Sequence, residues 1–186
     1  MRPERILADL RAGGERARAT RERLAGSEAG AGAEGHDAHA VERAEVAAAL
    51  VATLRPNDHA IARWLLEREV DAKAAAGHGS SEALYALVAA VARFADPDDA
   101  ILLWRAREAT PETRAGVDVE QLARAGVERV RARLAALARA GGERGIEAAR
   151  ALAWLEAGVA GGALEALADY FMWSDERFGL AAEGPV

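Results

Sequence analysis

The chain has 186 residues and no cysteine, a length that can bury about 70% of the unfolded surface in one domain and a composition that excludes disulfide frameworks, thiolate zinc sites and cysteine nucleophiles. Hydrophobic residues make up 51% of it, but 49 of them are alanine, and alanine's helix preference with a scarcity of β-branched and aromatic side chains predicts an all-α protein. The net charge of −6 argues against nucleic-acid binding through bulk electrostatics, although a local basic stripe retains that option. Lys73 is the single lysine among 24 basic residues, an arginine bias expected of a GC-rich bacterial genome.

Residues 1–25 carry a charge of +3 and can form a basic helix whose large apolar residues are Ile6, Leu7, Leu10 and Leu24, interrupted at Gly13-Gly14. Residues 26–37 follow as a small, glycine-rich stretch with the composition of a flexible linker. Together they predict a mobile N-terminal helical arm, tethered to the body and dispensable for folding. The first six residues carry charges where a signal peptide needs an apolar run, and the longest uncharged apolar run, 83–92, has ten residues. Neither secretion nor membrane spanning is expected, and the chain is placed in the cytoplasm.

The body spans 38–178, with a short tail at 179–186. An offset of 40 places Asp58, Ala60, Ile61 and Trp64 over Asp98, Ala100, Ile101 and Trp104, which predicts two similar helix pairs with the two tryptophans in equivalent buried positions. The first pair runs from Ala38 to Leu54 and from Ala60 to Ala76, the second from Ser80 or Ser81 to Ala95 and onward from Pro97. Asp96 is expected to cap the helix that Pro97 opens. Thr110-Pro111 starts a short turn ended by Gly116. Asp118 and Gln121 have capping-box spacing at the head of one long helix over 118–140, and two further helices carry Trp154 and the aromatic group Tyr170, Phe171 and Trp173.

These paired helices and the Asp-x-Ala-Ile-x-x-Trp motif resemble the HEAT and armadillo class, whose repeats run to about 40–47 residues. The resemblance covers about residues 38–117. It implies stacked antiparallel helix pairs, a short α-solenoid or helical bundle, and a surface that holds a protein partner.

Three groups of side chains are candidates for chemistry. Arg124 and Arg131, with Arg129 and Arg133 flanking, form a surface for phosphate or an acidic partner, and Tyr170 and Trp173 with Phe171 and Phe178 form an aromatic contact patch. Asp58, His59, Asp96, Asp98 and Asp99 gather at the turns inside the pairs, where a small enzyme or metal-dependent hydrolase could use them, although helix capping accounts for the carboxylates. His36, Asp37, His39, Glu42 and His78 contain ligand types without a ligand spacing, so no metal and no cofactor are expected. The expectation is a cytosolic adaptor that binds a protein partner through Arg124, Arg131, Tyr170 and Trp173, with no catalytic residue; an enzyme or an arginine-based nucleic-acid binder are the alternatives.

Overall fold

In the computed structural model, residues 2–25 and 39–180 are described, and all regular structure among them is helical. Helices α1 (Pro3–Ala12) and α2 (Gly14–Ala25) join at Gly13 and Gly14, whose φ angles of 72° and 60° lie in the left-handed region that glycine enters freely. Ile6, Leu7 and Leu10 share one face of α1, and α2 folds back to bring Leu24 to the same side. All four are buried in the main core, against α3 (Ala40–Ala52) among others. The N-terminal segment is therefore not a mobile arm. Its apolar face is thin but completely covered.

Two arginines complete the attachment. Arg11 donates to both carboxylate oxygens of the buried Asp58, at 2.9 and 2.6 Å, and to the Thr53 carbonyl oxygen at 2.6 Å. Arg43 of α3 donates to the Leu24 carbonyl oxygen at 3.2 Å and to Glu69 at 3.3 Å. The expected linker, 26–37, lies outside the described residues, as does 181–186. Leu180, assigned above to a free tail, is buried against Val51, Ala89 and Ala90.

A one-turn 3-10 helix, Pro56–Asp58, joins α3 to α4 (His59–Ala76). A second, Pro97–Asp99, stands between α5 (Glu82–Arg93) and α6 (Ala100–Glu108). Ser81 caps α5 by accepting from the Leu84 N–H at 3.1 Å, and Asp96 accepts from the Asp98 N–H at 2.9 Å. Helix α3 packs on α5, and α4 packs on both α5 and α6.

Burial along these helices recurs at 41 residues rather than 40. Arg43, Val46, Ala47, Leu50 and Val51 correspond to Leu84, Leu87, Val88, Val91 and Ala92, and the buried Asp58 corresponds to the buried Asp99. In that register Trp64 stands opposite Arg105, so the two tryptophans are not equivalent. Trp104 is buried beside Trp154, ring centroids 5.6 Å apart, with the Arg107 guanidinium over both rings. Trp64 is half-buried with Arg21 of α2 above it. The tryptophan match was a coincidence of residue type; the prolines and the buried aspartates carry the register.

The expected long helix over 118–140 is two helices, α8 (Val119–Ala123) and α9 (Val127–Ala140), broken at Gly126 with φ 95°. Before them, α7 (Pro111–Gly116) is capped reciprocally by Thr110 and Thr113. Helix α9 forms a hairpin with α10 (Gly142–Ala160), which packs on α6 and α8, and α11 (Leu167–Arg177) lies on α8. No described helix is long and apolar enough to cross a membrane.

If α2 belongs to the core, Leu24→Ala should cost about 2–5 kcal/mol, the range for emptying a buried leucine site. Denaturant unfolding of the full chain measures it. An unchanged midpoint would restore the mobile arm.

Candidate functional site

Helix α5, the turn from α7 into α8, and α11 enclose a cleft of about 380 Å³, lined by Tyr85, Asp118, Gln121, Tyr170, Trp173 and Phe178 among others. The backbone at its floor is specified by Gly116, where a Cβ would lie 2.5 Å from the Tyr85 hydroxyl oxygen. Only glycine lets that ring lie across the turn, from which Tyr85 donates to the Glu112 carbonyl oxygen at 3.2 Å. The chain then runs extended through Val117 and Asp118. Asp118 does not cap α8 with its side chain. Its carboxylate instead accepts from the Tyr170 hydroxyl at 2.9 Å, which ties the α8 entry to α11.

Gln121 and Ser174 face each other beneath this contact, the amide Nε2 donating to the serine Oγ at 2.8 Å. Gln121 is 4% exposed, and its Oε1 has no hydrogen-bond partner. Buried acceptors are rarely left this way, because desolvation without a donor is costly. Above it Trp173 is 48% exposed, beside the exposed Met172. The Arg177 guanidinium lies over the rings of Trp173 and Phe178, 5.4 and 5.2 Å from their centroids. Burial raises the Tyr170 phenol pKa well above its usual value, and the Asp118 charge and hydrogen bond add to the shift against a lowering by the Gln121 side chain. The hydroxyl therefore stays a neutral donor. Burial likewise raises the Glu120 carboxyl, helped by the neighbouring Asp118 charge.

Of the four residues expected to bind a partner, Tyr170 and Trp173 meet here, their ring centroids 5.6 Å apart. The two arginines do not join them. Arg124 makes two bonds to Asp175, at 2.7 and 2.6 Å, and lies over Phe171, so it fastens α11 from behind. Arg93 reaches the same carboxylate at 2.5 Å. Arg131 bonds Glu156 at 2.6 and 3.1 Å and also holds Glu128. Those hydrogen bonds raise its pKa and lower that of Glu156. Arg133 pairs with Asp98. The arginine stripe expected on 118–140 thus spends three of its guanidinium groups on carboxylates of this chain.

The aspartate edge also separates into ordinary roles. Among the described residues, His59, Asp96 and Asp99 bring ligand atoms within 4.8 Å of one another, but Asp58 belongs to Arg11 and Asp98 to Arg133. His59 Nε2 lies 2.6 Å from Asp99 Oδ2, with its ring stacked on Phe94 at 4.7 Å. Arg63 stands 3.1 Å from Asp99 Oδ1 and already supplies a positive charge. Asp96 is occupied as a cap. Elsewhere His39 sits 3.5 Å from Glu42. Burial pushes the Glu42 carboxyl up, but the Arg23 hydrogen bond and charge outweigh it and the net shift is downward. His78 lies near Glu112, and His36 and Asp37 fall outside the described residues.

Asp99 provides a test of this account. Burial raises its pKa above the ordinary 3.8, against the lowering effect of His59 and Arg63, with Asp96 adding to the rise. A carboxyl that holds its proton more tightly when folded contributes stability below its unfolded pKa, and that contribution is lost as pH climbs through the folded value. Asp99→Asn should therefore gain stability relative to the parent chain as pH rises from about 3.8 through the raised value. Denaturant midpoints of both proteins across that window check it; a parent chain that gains on the variant would show that the ion pairs dominate.

No family model, curated protein or solved structure matches this chain, so the chemistry of the cleft alone bears on its function.

Proposed function

We propose that this chain is a helical binding module that holds a protein partner in the cleft between α5, the α7–α8 turn and α11. The observation that carries the reading is the orphaned Gln121 Oε1 in a cleft lined by aromatic side chains, of which Trp173 is half exposed; the exposed Met172 is its neighbour in the chain. Half-exposed aromatic side chains beside an unsatisfied polar group are what an interface centre presents before its partner arrives. The cleft is open on one side, which suits a polypeptide segment laid across it.

The contacts of α3 with α5 and of α4 with α6, together with the 41-residue recurrence of burial, support a reading of the middle of the chain as two related helix pairs of the HEAT-like kind. In that reading the pairs serve as a rigid platform for the α7–α11 region. The reading includes a cytoplasmic setting, in keeping with a chain whose cohesion needs no disulfide. It assigns no catalytic role to the His59–Asp99 pair, in which His59 takes Asp99 Oδ2 and the Arg63 charge stands 3.1 Å from Oδ1, which accepts no hydrogen bond.

A photo-crosslinking amino acid placed at Met172 in the full chain, expressed in its own host, should give a discrete adduct with a polypeptide. The same amino acid at the exposed Arg18 of α2 should not, and Trp173→Ala should remove most of the Met172 adduct. Equal crosslinking at the two positions would reject the cleft as the docking site.

A further inference from the structure

Resting on that docking role, we propose that the group recognised is an arginine side chain of the partner polypeptide, and that Arg177 is this chain's own stand-in for it. Three features of the cleft point to a cation that also donates N–H bonds. Gln121 Oε1 is a buried acceptor without a donor. Asp118 gives its Oδ2 to Tyr170, and Oδ1 receives no hydrogen bond among the described residues. The ring faces of Tyr170, Trp173 and Phe178 complete the lining, and aromatic faces attract cations.

Arg177 demonstrates the last property within the molecule. Its guanidinium rests over Trp173 and Phe178, and no carboxylate pairs with it among the described residues, so the rings alone hold it there. Because Arg177 is exposed, it can swing into water without breaking an ion pair or opening the core. An incoming guanidinium can then take the same ring faces and donate to Asp118, while Gln121 Oε1, which the cleft lining covers, comes within reach once Arg177 has moved aside.

The shape of the group matters as much as its charge. A guanidinium is planar and carries its five N–H donors in that plane, so it stacks on a ring while donating sideways to Gln121 and Asp118. An apolar side chain of similar length would cover the rings and leave Gln121 Oε1 unpaired. Asp118 and Glu120 place two carboxyl groups at the head of α8. Such a field favours the approach of a basic segment.

The test uses the full chain, labelled with 15N and titrated with the pentapeptide acetyl-Gly-Gly-Arg-Gly-Gly-amide. Saturable shifts should appear in the backbone signals of 116–121 and 170–178. The peptide with norleucine in place of arginine should bind about tenfold more weakly, since it leaves both acceptors unpaired. Asp118→Asn keeps an acceptor for Tyr170 and removes the charge; it should weaken the arginine peptide about fivefold. Arg177→Ala removes the competitor and should tighten binding about threefold.

A norleucine peptide that binds as well as the arginine peptide overturns the cation site, as does the absence of saturable shifts with either. Weaker binding by Arg177→Ala overturns the stand-in role. Free arginine amide binding as tightly as the peptide overturns the polypeptide as source. Peptide binding without any Met172 adduct in the host would reject the protein-docking role while the guanidinium site stands; an adduct with preference for norleucine would do the reverse.

Discussion

Alanine brings one methyl group to any interface it enters, and this chain has 49 alanines. Helices of this composition form readily but have little with which to grip one another. The contacts between them are accordingly reinforced by arginine and carboxylate pairs that bridge elements: Arg11 with Asp58, Arg43 with Glu69, Arg63 with Asp99, and Arg131 with Glu156. Arg43 and Glu69 are both nearly inaccessible to water. Such pairs contribute little net stability against a well-packed apolar alternative, because desolvating the charges is costly. They do penalise any arrangement in which one partner is buried alone, and so favour a single packing among the many that small side chains permit.

The same constraint shapes the cleft. Ser174 is the one fully buried residue of α11, and three polar contacts position the helix: Asp175 with Arg93 and Arg124, Ser174 with Gln121, and Tyr170 with Asp118. A helix docked by polar contacts leaves its aromatic side chains free to line a surface instead of filling a core. That is why Trp173 is half exposed although its helix is fastened to α8.

The helical class, the Ser81, Asp96 and Thr110 caps and the Gly116 stop were legible because each depends on a few neighbouring residues. What depended on tertiary contacts was not. Ile6, Leu7, Leu10 and Leu24 looked too sparse for a core face, yet sparse faces suffice when α2 folds back over α1 and Arg11 and Arg43 fasten the segment. The segment 118–140 read as one long helix, and Gly126 breaks it at positive φ. In the candidate site, Tyr170 and Trp173 stood out as aromatic residues near one another in sequence. Tyr85, Asp118 and Gln121 were hidden, the first within an apolar run and the other two behind a capping pattern that their side chains do not form. Arg124 looked available because its carboxylate partner lies 51 residues away; of the two carboxylates that Arg131 holds, Glu156 lies 25 residues away but Glu128 is one turn earlier on the same helix.

The cleft draws its walls from Tyr85 on α5, from Gly116 to Gln121, and from Tyr170 to Phe178, and its fastening pairs Arg93 with Asp175 across 82 residues. Bringing such distant segments together carries a larger loop-closure entropy than forming the α9–α10 hairpin, whose helices are joined through Gly141. That cost favours closing the cleft after the local hairpins have formed. A partially folded chain would present helices without a cleft, so a partner held there in the proposed way would report that the chain from α5 onward has reached its native arrangement.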